Sequence, residues 1–365
     1  MDLTLTDDQR LIQTAARELL DSRAAAAGAR AVAAEPAGYS TQLWKEMVEL
    51  GWTGLAFPES HGGVGAGFLE LCLVIEELGR ARVPSPFVPT VACCGLPILR
   101  HGTEAQRAEW LGAIARGRIM SYALGDEVAA ERFAQGLALN GSALFVPYAD
   151  AADQLLVVAR HGDESVVALV DTAAPGVVRE GLEVVGDPSC RVSFEDVRVP
   201  GERVLGGSEV AGSEVAGSAV AEAVTAYGTA AVCAEMVGGA QGVLDMTVEY
   251  ARQREQFGKP IGAFQAVQHH CADMAIDVLS SRFIAYEAIW RLASEVDATM
   301  ELSLAKSWVS EAYQRVCALG HQVHGAIGFT AEHDLHYYSR HAMASALAFG
   351  DADVHSEQVA RNLGI

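Results

Sequence analysis

Between Ser121 and about Val204 the apolar residues come in bursts of strand length, and on both sides of that stretch they recur at helical spacing. A chain that reads helices, then strands, then helices again segregates its elements, which is the pattern of an α+β protein built from several domains. In the first block Thr6-Asp7-Asp8-Gln9 offers a helix cap followed by acids, and Leu11, Ile12, Ala15, Leu19 and Leu20 form one apolar stripe. A second helix is expected from Thr41 to Leu50, stopped by Gly51 in the left-handed position. A third runs from Leu69 to Arg80, Pro84, Pro86 and Pro89 punctuate the segment after it, and Leu111 to Ile119 closes the block. In the middle block Asn140-Gly141, flanked by Leu137-Ala138-Leu139 and Ala143-Leu144-Phe145-Val146, predicts a hairpin. Leu155 to Ala159, Val166 to Val170 and the alternating run Val192 to Pro200 add further strands of a compact β-domain.

Gly206 to Ser218 repeats GSEVA, GSEVA, GSAVA, a period that suits neither helix nor strand and reads as a linker. Beyond it, long segments at Ala221 to Gln253, Ala263 to Val296, Met300 to Leu319 and Asp334 to Ala348, with a short one near Asp351 to Asn362, predict an antiparallel helix bundle. The expected division is therefore a helical domain over 1–118, a β-domain over 119–205, a linker over 206–218 and a bundle over 219–365.

A chain of 365 residues, 50% hydrophobic and 20% charged, is long enough for a large core and two or three domains. Its net charge of −21 argues against a nucleic-acid partner, although a local arginine cluster can still hold a phosphorylated ligand. Seven scattered cysteines without a C-x-x-C pair suit reduced thiols and give no sign of a metal site. The acidic start MDLTLTDDQR is unlike a secretory signal, and no apolar run of membrane-spanning length stands out, so a cytoplasmic protein with no membrane partner is expected.

The stretch Tyr250 to Gln268, YARQREQFGKPIGAFQAVQ, reads as a helix end, a loop at Phe257 to Gly262 and a new helix start. Gly258 and Gly262 permit tight backbone and Pro260 forbids helix continuation. Arg254 before the loop and Gln265 after it form either a phosphate clamp at a helix N-terminus or an ordinary surface turn. The string R-x-x-F-G-K-P-I-x-x-F-Q resembles the flavin-contacting loop of acyl-CoA dehydrogenases. LGWTGLAFPESHGGVG…EELGR is similar to that family's N-terminal domain, and the helix–strand–helix order extends the resemblance over essentially the whole chain. His61, inside that string beside two glycines, reads as a structural loop residue.

The resemblance implies an FAD-dependent dehydrogenase that desaturates an acyl-CoA thioester, a role in lipid metabolism. The family's flavin crosses a subunit interface, with one subunit's β-domain holding the ring and a neighbour's C-terminal domain holding the pyrophosphate and adenosine. Carried over to this chain, Arg254, Gln256, Phe257 and Gln265 match the first flavin loop. Gln322, Gly325 and Ala326, within Gln322-Val323-His324-Gly325-Ala326-Ile327-Gly328-Phe329, match the second, glycine-rich contact. The ring-holding half matches less well: where the family has T-E-P-G-x-G-S-D this chain has Tyr122-Ala123-Leu124-Gly125-Asp126-Glu127-Val128-Ala129, and Phe145-Val146-Pro147 replaces W-I-T.

The family places its base, a glutamate, at one of two positions, which here hold Gly228-Thr229 and Phe349. Asp351 is two residues late and reads either as a displaced base or as the cap of the next helix. Glu235 and His355 are the other substitutes, with interhelical pairing and a surface or interface place as their plain readings. The resemblance thus points first to the base-less subunit of a heteromeric α2β2 acyl-CoA dehydrogenase, of a kind whose substrates are often bulky, including steroid side-chain thioesters. The alternatives are a homotetramer using Asp351 and a non-catalytic flavin or acyl-CoA scaffold. An electron-transfer flavoprotein is the implied electron acceptor.

Overall fold

The computed structural model describes residues 4–33, 35–125, 127–206 and 216–365, the side chain of Ala26 excepted. In chain order its helices begin with α1 (Asp7–Ala27), α2 (Ala29–Val32), α3 (Thr41–Glu49), α4 (Phe68–Arg80), α5 (Leu96–His101) and α6 (Glu104–Ala115). The strands β1 (Met120–Ala123), β2 (Val128–Phe133), β3 (Gly136–Pro147), β4 (Gln154–His161), β5 (Glu164–Asp171), β6 (Val177–Leu182), β7 (Ser189–Pro200) and β8 (Val204–Gly206) come next. Then come α7 (Gly217–Gln253), the short pair β9 (Glu255–Gln256) and β10 (Lys259–Pro260), α8 (Gln265–Ala293), α9 (Thr299–His324), α10 (Leu335–Leu347) and α11 (Ala352–Leu363). Residues 207–215, most of the two GSEVA copies, lie outside the described residues; the linker expectation is corrected at both ends, since Gly206 closes β8 and the third copy, from Gly217, is already the first turn of α7.

The chain forms two compact units. One contains Glu35–Gly67 and Ser85–Gly228, and its centre is a sheet with strands in the order β6-β7-β3-β2-β4-β5-β8 and β1 alongside β4. The predicted hairpin at Asn140-Gly141 is corrected here. β3 runs straight through that dipeptide, and the hairpin lies one strand earlier, where Phe133 faces Gly136 across Ala134-Gln135. Asn140-Gly141 instead marks a register shift against β7, with Asn140 Oδ1 accepting the Asp196 N–H at 2.9 Å. Gly141 has φ +119°, and a Cβ there would stand 2.0 Å from the Glu127 carbonyl oxygen of the neighbouring strand. The glycine serves a bulge and a close backbone approach, which looks the same in sequence as a turn.

The other unit gathers α1, α2, α4 and the chain from Thr229 onward. Thr6 caps α1 with the reciprocal bond to Gln9 that its spacing predicts, and α8 and α9 lie antiparallel with α10 and α11 packed on α9. Leu302, Ala305, Val309, Ala312, Tyr313 and Val316 give α9 its buried stripe. Within this unit α4 crosses α7 at glycines: a Cβ on Gly79 would lie 2.0 Å from the Glu235 carbonyl oxygen, and one on Gly238 1.8 Å from that of Glu76. The buried carboxylates of α4 are both paired, Glu76 with Arg282 and the Tyr286 hydroxyl, Glu77 with Arg17 and Arg80. α7 is long and apolar enough to cross a membrane by composition, yet 67% of its most apolar window is buried inside the protein, as suits a core helix.

Candidate cofactor site

The loop after α7 is smaller and tighter than its sequence suggests. Gln256 pairs with Lys259 and Glu255 with Pro260, so β9 and β10 make a miniature hairpin turning at Phe257-Gly258. Both turn residues have positive φ, +55° and +79°, as a primed two-residue turn requires. For glycine that geometry is free, but for Phe257 it is strained, and its ring is 92% exposed. That ring meets Phe264 edge-on, with centroids 6.0 Å apart. Lys259 Nζ sits 4.4 Å over the Phe264 ring, and the Ile261 N–H closes the loop onto the Arg254 carbonyl at 2.8 Å.

Arg254 is exposed, and no carboxylate pairs with its guanidinium among the described residues. α8 starts at Gln265, and Phe264 before it provides no side-chain cap, so the first-turn N–H groups of a 29-residue helix stay available. The second loop begins where α9 ends at His324. Gly325 takes φ +64°, ψ −142°, a conformation open essentially only to glycine, and a short 3-10 turn over Gly325–Phe329 succeeds it. The two loops are held together by ring stacking: Tyr250, in the last turn of α7, lies on His324 with centroids 4.5 Å apart. Arg254, Gln256, Phe257, Gly325 and Ala326 are exposed on these two loops, and Gln265, first in α8, and Gln322, near the end of α9, are exposed on the adjoining helix ends. An exposed guanidinium with no carboxylate partner among the described residues, an uncapped helix N-terminus and, joined to that loop through the Tyr250–His324 stack, a glycine turn are donor groups of the kind that suit a pyrophosphate. Tyr250 and His324 stand within the two loop motifs, but no sequence signal says that they touch.

The candidate bases are occupied otherwise. Asp351 accepts the Val354 N–H at 2.9 Å as the N-cap of α11. Lys306, fully buried in α9, donates to Ser310 Oγ and to the carbonyls of Ala346 and Gly350, and so fixes the loop that carries Phe349. Burial pushes its pKa down to about 8, which leaves it an ammonium at neutral pH. His355 Nε2 donates to the Phe349 carbonyl at 3.0 Å, and burial lowers its pKa. Glu235 faces His341 across 3.5 Å, and His341 Nδ1 meets the Tyr313 hydroxyl at 3.4 Å. His61 closes a 3-10 turn with Nε2 3.8 Å from Glu104. A lysine inside the apolar pattern Leu302, Ala305, Val309 was the available signal for Lys306.

In the other unit, Tyr122 and Ala123 lie in β1, while Asp126 falls outside the described residues. Phe145, at φ +57° and exposed, occupies a second bulge of β3, and the Pro147 carbonyl accepts the Ser121 hydroxyl. Among the described residues no group of three or more His, Cys, Asp or Glu is arranged to hold a metal ion.

Helices before and after an eight-stranded sheet give the architecture, and comparison with known proteins gives the family. Residues 6–118 match the acyl-CoA dehydrogenase N-terminal domain and residues 216–364 the acyl-CoA dehydrogenase C-terminal domain. The chain is 31% identical over 340 residues to acyl-CoA dehydrogenase FadE27 of Mycobacterium tuberculosis, covering 89% of this chain and 88% of that one. It is 28% identical over 343 residues to the caffeyl-CoA reductase-Etf complex subunit CarC of Acetobacterium woodii, covering 88% and 89%. A chain of the ChsE4-ChsE5 complex from Mycobacterium tuberculosis superposes with a TM-score of 0.93 at 29% identity, covering 100% of this chain and 99% of that one. The chain belongs to the acyl-CoA dehydrogenase family, whose members are FAD-dependent oxidoreductases.

Proposed function

We propose that this chain is the subunit of a heteromeric acyl-CoA dehydrogenase that holds the FAD pyrophosphate and leaves proton abstraction to a partner subunit. One observation carries this reading: the loop motifs that carry Arg254 and Gly325 are joined through the Tyr250–His324 stack, while the positions where the resemblance places the family's base hold Gly228-Thr229 and Phe349. Arg254 would supply charge to the pyrophosphate, Gln256 and Gln265 would supply amide groups, and Gln322, Gly325 and Ala326 would add the second loop's contacts. The cofactor's contribution when bound is to accept a hydride from the β-carbon of an acyl thioester, and that requires a carboxylate at the α-carbon. Asp351 is committed to the α11 cap, so the carboxylate is assigned to the partner. The relationship to a chain of the ChsE4-ChsE5 complex supports an assembly of unlike subunits. The relationship to an Etf-complex subunit supports an electron-transfer flavoprotein as acceptor.

The test is expression of the chain alone and together with a candidate partner acyl-CoA dehydrogenase subunit from the same genome, measuring bound flavin and acyl-CoA oxidation with an artificial acceptor. The chain alone should retain little flavin and show no turnover, and the pair should show both. Flavin loading without turnover, in the pair as in the lone chain, would favour a binding scaffold instead.

A further inference from the structure

Four histidines, His321, His324, His333 and His336, gather around the Gly325–Phe329 turn, and the hydrogen bonds of three define their protonation. His321 Nε2 lies 2.7 Å from Ser339 Oγ, and Ser339 Oγ also reaches the Leu335 carbonyl at 3.3 Å; the tautomer with the proton on Nε2 and the lone pair on Nδ1 is the one that satisfies both contacts. That Nδ1 is buried without a partner, close enough to Gly328 that a Cβ there would lie 3.2 Å from it. His324 Nδ1 donates to the Gly320 carbonyl at 2.8 Å, and its Nε2 is likewise buried without a partner on a side chain only 4% exposed. His333 Nδ1 accepts the Leu335 N–H at 3.2 Å. All three rings are bonded as neutral imidazoles.

A second proton has no good place to go. On His321 or His324 it enters at a buried nitrogen with no acceptor, and on His333 it breaks the bond to Leu335. The surrounding charge does not help. His324 and His333 lie with ring centroids 4.7 Å apart, so one imidazolium opposes the next. Arg30 of α2 and Arg340 of α10 act on the cluster with positive charge, and the carboxylate of Asp334 is already bonded to Arg30 Nε at 2.7 Å. α7 contributes the stacked Tyr250 and the turn contributes Phe329, stacked on His321 at 4.3 Å. Burial is the first cause holding all four imidazoles below their ordinary value; neighbouring positive groups add to it, while Asp334 at His333 and His336 and the Gly320 carbonyl at His324 oppose it.

We infer that His321, His324 and His333 form an acid-released latch: they hold the Gly325–Phe329 turn against α7 while neutral and let it open when protonated. Because the folded-state affinity for protons is lowered, the latch is fully held above the ordinary imidazole value of about 6.5 and weakens as pH falls below it through the lowered folded values. If the turn holds FAD, as proposed above, acidification loosens that grip; this last consequence rests on that assignment, and the latch itself does not.

Hydrogen–deuterium exchange on the protein as isolated, at pH 7.5 and pH 5.5 with correction for intrinsic rates, reads the latch directly. Peptides covering 322–334 should lose at least tenfold protection at the lower pH, while peptides from the buried stretch of α9 around Leu302 to Val316 hold theirs. His324→Gln, which keeps a donor to Gly320, and His333→Asn, which keeps an acceptor for Leu335, should each shrink that difference. Equal protection of the turn at both pH values in the unsubstituted protein would overturn the inference. So would an undiminished pH difference in both variants. No flavin enters this measurement, so its failure leaves the flavin assignment standing, and a chain that binds no flavin leaves the latch standing.

Discussion

Arg254, Asp351 and Lys306 decide the chemistry at the scale of the residue. Arg254 has no carboxylate to lose among the described residues, so Arg254→Ala should leave Tm nearly unchanged while the assembled enzyme loses most of its flavin. Flavin absorbance per protomer together with a thermal melt checks both halves of that statement. Asp351→Asn keeps a good N-cap, so stability should change by less than about 1 kcal/mol. Turnover of the complex should stay within a few-fold; a loss of several orders of magnitude would identify Asp351 as the base. Lys306→Met should behave oppositely, leaving the Ala346 and Gly350 carbonyls without their donor at a cost of roughly 2–4 kcal/mol, visible as a lowered denaturation midpoint. The sequence displayed Arg254 and its glycines openly, because a phosphate cradle is built from local backbone. It was silent on the Tyr250–His324 stack and on Lys306's three acceptors, because those pairs meet only after α7, α9 and α10 have packed.

Elements were legible where a single periodicity decides them. α3 ends with Gly51 at φ +77°, the left-handed stop its glycine predicted, and α4, α10 and α11 follow their apolar patterns closely. β2 and the β2–β3 hairpin were missed because their turn is Ala134-Gln135, which carries no turn chemistry, whereas the bulge at Asn140-Gly141 does. Helix crossings were equally invisible, since a glycine inside a helix gives no hint of what approaches it. Gly238→Ala would place a Cβ 1.8 Å from the Glu76 carbonyl oxygen and force α4 off α7. It should cost on the order of 3 kcal/mol, read by chemical denaturation, with the loss shared by Gly79→Ala at the same crossing.

For the whole molecule, helices flanking a strand-rich segment emerge from the shifts in apolar period, while the division of labour among chains does not, because it depends on residues of another polypeptide. The proposed division rests on two readings of this chain: the Arg254 and Gly325 loops as its pyrophosphate contacts, and Gly228-Thr229 and Phe349 as the residues at the positions where the family resemblance places a glutamate. The most direct test is native mass spectrometry with a flavin count, applied to this chain alone and to the chain co-expressed with a candidate partner acyl-CoA dehydrogenase subunit from the same genome. The expected result is a mixed assembly that carries flavin, loses it when this chain bears Arg254→Ala, and has no flavin-loaded counterpart made from this chain alone. A homotetramer of this chain with a full set of flavins and full turnover would contradict the proposed division of labour.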